Sequence, residues 1–292
     1  MFSSERDFSE WRLSGFEGIP AKLYPSIEST HSLMKEQALA NEIQPGALIV
    51  ADFQNGGRGR HERTWISPAK KNLYFNILLP LEGIPTKNYA QITQVTALTF
   101  ADVFRSLQKD IAVPRTETNS TTEKSQITVK WPNDILFDKS KFCGILAEVI
   151  LIPKTSGFTP ALNLGVGINV NGDISDYACL HRDITTLKAI VGKTINREKL
   201  LQVLTASLER AILQFRAFGI SPWVSAWRKM DRFIGARGTI VVSDLCTDSN
   251  RDGGQGVEKK TGRIIDMQAD GSLLFETDDG IRHVVYSADL EI

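Results

Sequence analysis

ALIVADFQNGGRGRHERTWISPAKKNLYFNILLP, residues 47–80, holds two compact apolar runs on either side of an arginine-rich connection. Residues 47–52 and 72–80 carry the aliphatic and aromatic side chains that suit a pleated, buried surface, and Pro80 ends the second run. Each predicts a buried strand. Between them, Gln54 to Trp65 packs Arg58, Arg60 and Arg63 among Gly56, Gly57 and Gly59. Glycines let main-chain N–H groups approach a ligand closely, and three cations suit an anion, so the loop is built to wrap a charged small molecule. A solvated basic turn is the plain alternative. Phe53 and Trp65 at its borders favour a pocket, because a buried indole gives the loop something to close over.

Working outward, Ser29-Thr30 opens a capped helical segment through residue 42, in which Leu33, Met34, Ala38 and Leu39 recur with helical spacing until Pro45-Gly46 breaks the pattern. Downstream, residues 89–107 predict a helix buried on a wide face. Residues 114–126 are polar, Thr/Ser-rich and aperiodic, as in a mobile surface insertion. ITVKWPNDILF (127–137), CGILAEVILI (143–152) and ALNLGVGINVN (161–171) each read as a strand of one largely buried sheet. Residues 196–219 place Leu200, Leu204, Leu208, Ile212 and Phe215 on one helical face, with Gly219 where a C-terminal cap belongs. Ser221-Pro222 starts a shorter helix through Trp223 and Trp227, and Gly235 ends it. The remainder has β texture, with runs at 239–242, 262–267, 272–277 and 281–286 separated by turn signals, and a polar excursion over 246–262 expected to be flexible. The whole predicts an α+β chain, a mixed sheet flanked by helices over 1–234 and a small all-β domain over 235–292.

The 292 residues carry no net charge, 42% are hydrophobic and 23% charged, so whole-chain electrostatics give no argument for nucleic acid. The first residues, MFSSERDFSEW, lack the cationic and apolar regions of a secretory signal, and no apolar run reaches membrane-spanning length; a cytoplasmic protein without a membrane partner is expected. Cys143, Cys179 and Cys246 form no ligand spacing and read as buried thiols. His31, His61, His181 and His283 form no HExxH, no GxSxG elbow occurs, and Gly192-Lys193-Thr194 lacks the leading glycine of a phosphate loop because Leu187 stands there.

Two further constellations bear on chemistry. In KWPND (130–134) Pro132 forces a kinked exit that turns Asn133 and Asp134 toward the sheet edge. Lys130 and Lys141 on either side make the set suited to a phosphate and a divalent cation. A simple turn is the alternative. In LGVGINVN the G-x-G alone is weak, but Asn169 carries an amide able to pair with the edge of adenine, and a strand-end asparagine is its bland counterpart.

Taken in order, Ser29-Thr30, GRGRHERTW (57–65), KWPND, KFCGILAEV (141–149) and GVGINVN (165–171) resemble the catalytic core of biotin protein ligases, from about Ser29 to Asn171, with a β module where that family has an SH3-like barrel. The resemblance implies a class II synthetase-like biotin/lipoate ligase core. It implies that Ser29, Thr30, Gln54 and Arg58 hold biotin with Gly57 giving main-chain approach, that Arg60 and Arg63 cover phosphates, and that Trp65 packs under the loop. It also implies that Lys130, Asn133 and Lys141 meet the carboxylate and phosphates, that Asn169 recognises adenine, and that Lys141 and Arg60 are catalytic. The substrates implied are ATP and biotin, with Mg²⁺, and the partner is the biotin carboxyl carrier domain of a carboxylase. His31 stands where the family often has Asn, and His61-Glu62 where it commonly has Arg-Gly. Lipoate ligases and octanoyl transferases share the core, but the GRGRxxxxW pattern favours biotin. Some biotin ligases carry an N-terminal DNA-binding domain; with the match starting near residue 29, none is expected, and a monomer or homodimer is. A non-catalytic binding protein would lose Lys141 or Arg60, and both are present. Three adjacent arginines repel one another, so residues 54–65 are expected to be mobile until an anionic ligand binds.

Overall fold

The computed structural model describes residues 6–61, 63–109, 126–180, 183–243 and 257–292. The expected insertion at 114–126 falls outside them apart from Gln126, as do Glu62, His181 and Cys246. The first part of the chain runs β1 (Lys22–Tyr24), α1 (Thr30–Leu39), β2 (Leu48–Ala51), β3 (Leu73–Pro80), α2 (Gln91–Lys109), β4 (Ile127–Lys130), β5 (Asp134–Phe137), β6 (Ser140–Pro153), β7 (Phe158–Ile168), α3 (Leu187–Val191), α4 (Arg197–Phe218) and α5 (Ser221–Met230). Then follow β8 (Arg237–Ser243), β9 (Val257–Met267), β10 (Leu273–Thr277), β11 (Arg282–Val285) and β12 (Asp289–Glu291). Among the described residues these strands form a larger mixed sheet of order β1-β2-β3-β7-β6-β5-β4 and a smaller one of order β11-β10-β9-β8-β12. Only β1 and β2 pair in parallel in the larger sheet. The smaller is antiparallel throughout.

Alternation along the central strands divides the larger sheet into two unlike faces. Leu73, Phe75, Ile77 and Leu79 of β3 and Leu162, Leu164, Val166 and Ile168 of β7 join the main core with α2, α4 and α5. On the other face a small apolar cluster of Met34, Ala38, Ile49, Leu78, Ile150, Ile152 and Ala161 seats α1. Beyond α1 that second face carries Asn76 on β3 and Gly165 and Gly167 on β7, and apolar packing gives way to a cavity. Helix α4 forms because Leu200, Leu204, Leu208 and Ile212 lie one turn apart and all are buried. Each contributes roughly 1.5–3 kcal/mol. Asn196 caps the helix by accepting from the Lys199 N–H, and Gly219, at φ 60°, ends it.

Several boundaries differ from expectation. Where one strand is expected over 127–137 the chain forms the hairpin β4–β5, turning at Trp131–Asn133 through a cis Trp131–Pro132 bond, with Lys130 opposite Asp134. Proline has no N–H for a ladder, so the chain reverses there. Helix α1 stops at Leu39, short of Glu42, and α5 at Met230, short of Gly235. Strands β1 and β12, three residues each, are too short to leave a periodic signal. Val257–Gly262, expected within a flexible excursion, is the first half of β9, held by six register pairs to β8. Cys143 is buried as expected but Cys179 is exposed, in a short 3₁₀ segment. Gly192 caps α3 in the left-handed conformation, so Gly192-Lys193-Thr194 is a helix end and not a phosphate loop. Among the described residues no helix is long and apolar enough to cross a membrane.

Candidate functional site

The cavity on the α1 face is bounded by the N-terminus of α1, the arginine loop, β6, β7 and the edge of the smaller sheet. Ser29 caps α1, its hydroxyl accepting from Ser32, and Ser29 and Thr30 line the cavity at the helix start, where the helix dipole favours an anion or a polar acceptor. Gln54 joins loop and helix. Its Oε1 accepts from the Thr30 N–H at 2.8 Å and the Thr30 hydroxyl at 3.0 Å, while its Nε2 donates to Ser67 at 3.1 Å. Ser29, Thr30, Gln54 and Arg58 thus stand at one end of one cavity.

The loop is a folded hairpin. Gly59 N–H donates to Arg63 O at 2.6 Å, Trp65 N–H to Gly57 O at 2.9 Å, and Arg58 bridges to Thr64. A Cβ on Gly57 would lie 2.5 Å from Trp65 O, so this glycine is required by the close approach of the loop's two strands. The anion expected of a ligand is met within the chain by Asp289 of β12: Arg63 Nη2 lies 2.7 Å, His61 Nε2 3.2 Å and Arg60 Nη1 3.8 Å from its carboxylate. Arg60 also donates to Ala288 O and Ser287 Oγ, both at 3.2 Å, and to Asn133 Oδ1 at 3.3 Å. Burial pushes the Arg60 guanidinium below its ordinary value, and Asp289 and Asp134 pull it back.

Lys141 reaches the cavity through a defect in pairing. Strict alternation from Gly144 would turn Lys141 into the core. Between Ile135 and Leu136 the β5–β6 register slips, so Phe142 and Cys143 are both buried in succession and Lys141 emerges beside Gly144. Its Nζ pairs with Asp134 at 2.6 Å and lies 5.4 Å from the centre of the Trp65 ring. Trp65 itself rests on the sheet because β6 and β7 present glycines there. A Cβ on Gly167 would fall 2.4 Å from the indole, and one on Gly144 2.9 Å from it. Gly167→Ala is expected to push Trp65 off the sheet, an overpacking cost of about 1–3 kcal/mol, read as a lower denaturation midpoint in urea with secondary structure unchanged.

Asn133 lines the cavity, its Nδ2 tied to Ile145 O at 2.6 Å. Asn169 lies in an adjoining hollow shared with Trp65, Lys141 and Tyr177; its Nδ2 donates to Thr185 O at 3.3 Å and its buried Oδ1 has no partner. Lys130 is not brought to the cavity. It lies 5.7 Å from the Phe233 ring, and burial lowers its pKa against the pull of Asp134. Gly144, Gly165, Gly167, Asn76 and Asp289 border the cavity beyond the residues expected there, and Asp134, expected with the KWPND set, lines it too. For the glycines, G-x-G on a strand was the available signal; for Asp289, remote in sequence, there was none. Among the described residues no three acidic, histidine or cysteine side chains cluster as a metal cage.

Residues 23–169 match the family described as Biotin/lipoate A/B protein ligase. The chain is 29% identical over 232 residues to the bifunctional ligase/repressor BirA of Escherichia coli (strain K12), covering 80% of this chain and 65% of that one. It therefore spans about two thirds of that relative's length. It is also 29% identical over 261 residues to the biotin–[acetyl-CoA-carboxylase] ligase of Mycobacterium tuberculosis, covering 89% of this chain and 84% of that protein. In fold it is similar to a structure of biotin protein ligase from Aquifex aeolicus in complex with biotin and ATP, with a TM-score of 0.69 over 93% of this chain and 97% of the other at 24% identity.

Proposed function

The chain belongs to the Biotin/lipoate A/B protein ligase family, and on that premise we propose that it is an ATP-dependent biotin–protein ligase. The observation that carries the reading is the convergence of Arg58, Arg60, Arg63, Lys141 and the start of α1 on one cavity floored by glycines. Biotin's carboxylate must approach the α-phosphorus of ATP, and two anions at such range repel until cations neutralise both. In this reading Ser29, Thr30, Gln54 and Arg58 hold biotin, with Gly57 fixing the loop's main chain. Arg60, Arg63 and Asn133 attend the phosphates, Trp65 and Asn169 the adenosine, and Lys141 spans carboxylate and α-phosphate. A carboxylate oxygen attacks phosphorus, pyrophosphate leaves, and biotinyl-5′-AMP remains under the loop, shielded from water. A neutral lysine amine of the carrier then attacks the carbonyl carbon, AMP departs, and the amine proton is lost to solvent. The chain lends no covalent nucleophile, and the Cys143 thiol, pushed up by burial, stays protonated. Asp134, the cavity carboxylate beside Lys141, fits a Mg²⁺ held mainly by substrate phosphates, an ion that would supply further neutralisation of their charge.

The same reading assigns catalysis to residues 1–234 with the smaller sheet, 235–292, contributing Asp289. The partner is a carboxylase's biotin carrier domain, the protein acts in the cytoplasm where ATP and that carrier meet, and neither DNA nor a membrane takes part. Pyrophosphate release measured in parallel with biotin, lipoate and octanoate is the test. Release with biotin alone is expected; release with lipoate or octanoate but not biotin would transfer the proposal to the acyl-chain branch of the family.

A further inference from the structure

Resting on the biotin reading, the geometry points to a further specificity residue: we propose that Asn76 Oδ1 accepts a hydrogen bond from a ring N–H of the cyclic urea, and that His31 and Asn163 are the positioning residues that turn that oxygen toward it. Asn76, on β3 directly opposite Gly165 of β7, lines the cavity and is 1% exposed, yet its Oδ1 has no hydrogen-bond partner. A buried acceptor left unpaired is costly, so a ligand donor there is favoured. Gly165 keeps the place open, because a Cβ on it would stand 3.2 Å from Asn76 Oδ1 and 2.9 Å from its Nδ2.

The orientation of the Asn76 amide follows from two groups that can only accept. At one end, the Glu148 carboxylate lies 3.1 Å from His31 Nε2, which must therefore carry the proton; Nδ1 of the neutral ring is then an acceptor, 3.1 Å from Asn76 Nδ2. At the other, Asn163 Nδ2 donates to His31 O at 2.9 Å, which turns Asn163 Oδ1 to Asn76 Nδ2 at 2.6 Å. Both chains of reasoning require Nδ2 to face His31 and Asn163 and leave Oδ1 for a ligand. A saturated acyl chain or a dithiolane ring has no N–H to offer it, whereas a cyclic urea has two.

The arrangement also couples to pH. Burial holds the His31 imidazole below its ordinary value, with Glu148 opposing that and Arg58 and Lys35 adding to it. Burial works against the Glu148 carboxylate too, but hydrogen bonds from Lys35 and His31 outweigh it and keep the group ionised. When His31 gains a proton, Nδ1 becomes a donor facing the Asn76 amide donor, and the amide can no longer hold its place. Biotin affinity should therefore hold through the ordinary imidazole range, about 6.5, and fall only at more acid pH, where the buried ring gains its proton.

Calorimetric titration of the full chain with biotin and desthiobiotin, which share the cyclic urea, tests the assignment. Asn76→Ala is expected to weaken both by about ten- to a hundredfold, the range for leaving a buried donor unpaired. Methylating the ureido nitrogens should cost the wild type more than it costs Asn76→Ala. The loss of biotin affinity on acidification, measured on the wild type, should vanish in His31→Gln, a measurement that does not depend on the alanine variant folding. Equal biotin affinity for Asn76→Ala and wild type, or the same acid limb in His31→Gln, would overturn the inference while leaving the ligase reading standing. A wild type that binds lipoate and not biotin would overturn both.

Discussion

On the proposed ligase reaction, replacing Lys141 by alanine is expected to slow pyrophosphate release from biotin and ATP about a hundred- to a thousandfold, the usual consequence of removing one preorganised charge at a transition state, with biotin binding little changed. The bulge at Phe142-Cys143 and the ion pair with Asp134 hold this ammonium in place before substrate arrives, so no reorganisation is needed when charge develops. The variant removes a cation and also leaves the Asp134 carboxylate facing the phosphates. Lys141→Ala with Asp134→Asn separates the two: recovery of part of the rate measures the unpaired carboxylate, and what stays lost belongs to the lysine. An adenylation rate equal to wild type would remove Lys141 from the reaction.

Arg197→Ala destabilises the fold by about 3–5 kcal/mol, the cost of leaving one member of a buried ion pair alone, seen as a lower denaturation midpoint in urea at unchanged slope. Arg197 Nη1 lies 2.7 Å from Asp52 Oδ1 and donates to Asn72 O at 3.0 Å, and the guanidinium packs 5.1 Å from the Trp11 ring. Its cation sits in the first turn of α4, where the helix dipole opposes it, so Asp52 is the partner that makes the position tolerable. Asp52 directly follows β2 and stands two residues before Gln54, which ties the root of the arginine loop to the helical layer. Replacing both partners, Arg197→Met with Asp52→Leu, should recover most of the loss, because a neutral pair of similar volume leaves no stranded charge. A midpoint unchanged by Arg197→Ala would show that water already screens the pair.

Much of this was legible from residue spacing. The run of Leu200, Leu204, Leu208 and Ile212 dictates α4, and compact apolar runs dictate β2, β3, β6 and β7, because burial on one face or both leaves a local pattern. Ser29, Thr30, Gln54, Arg58 and Arg60 could be proposed together from their motifs. The orientation of Lys141 could not, since it depends on a register slip against β5 that alternation alone predicts the wrong way. The ion pair at Asp289 was equally hidden. It joins side chains more than two hundred residues apart, and nothing local to YSADLEI distinguishes that aspartate from a solvated one. Lys130 illustrates the converse, a motif residue that the hairpin turns toward Phe233.

Asp289 can be treated as a ligand that the protein carries with it. A tethered group competes at an effective concentration set by its linkage, roughly millimolar for short flexible connections, and this one is held by a folded sheet with Arg60, His61 and Arg63 around it. A stray inorganic phosphate or carboxylic acid in the cell must outcompete that internal carboxylate for Arg60 and Arg63, and a singly anchored anion below millimolar levels gains little by doing so. A nucleotide whose other end is already gripped elsewhere in the cavity meets the same arginines as an intramolecular step of its own. The carboxylate from the far end of the chain thus acts as an occupancy filter, keeping the arginines closed to simple anions and open to a molecule that binds at two points.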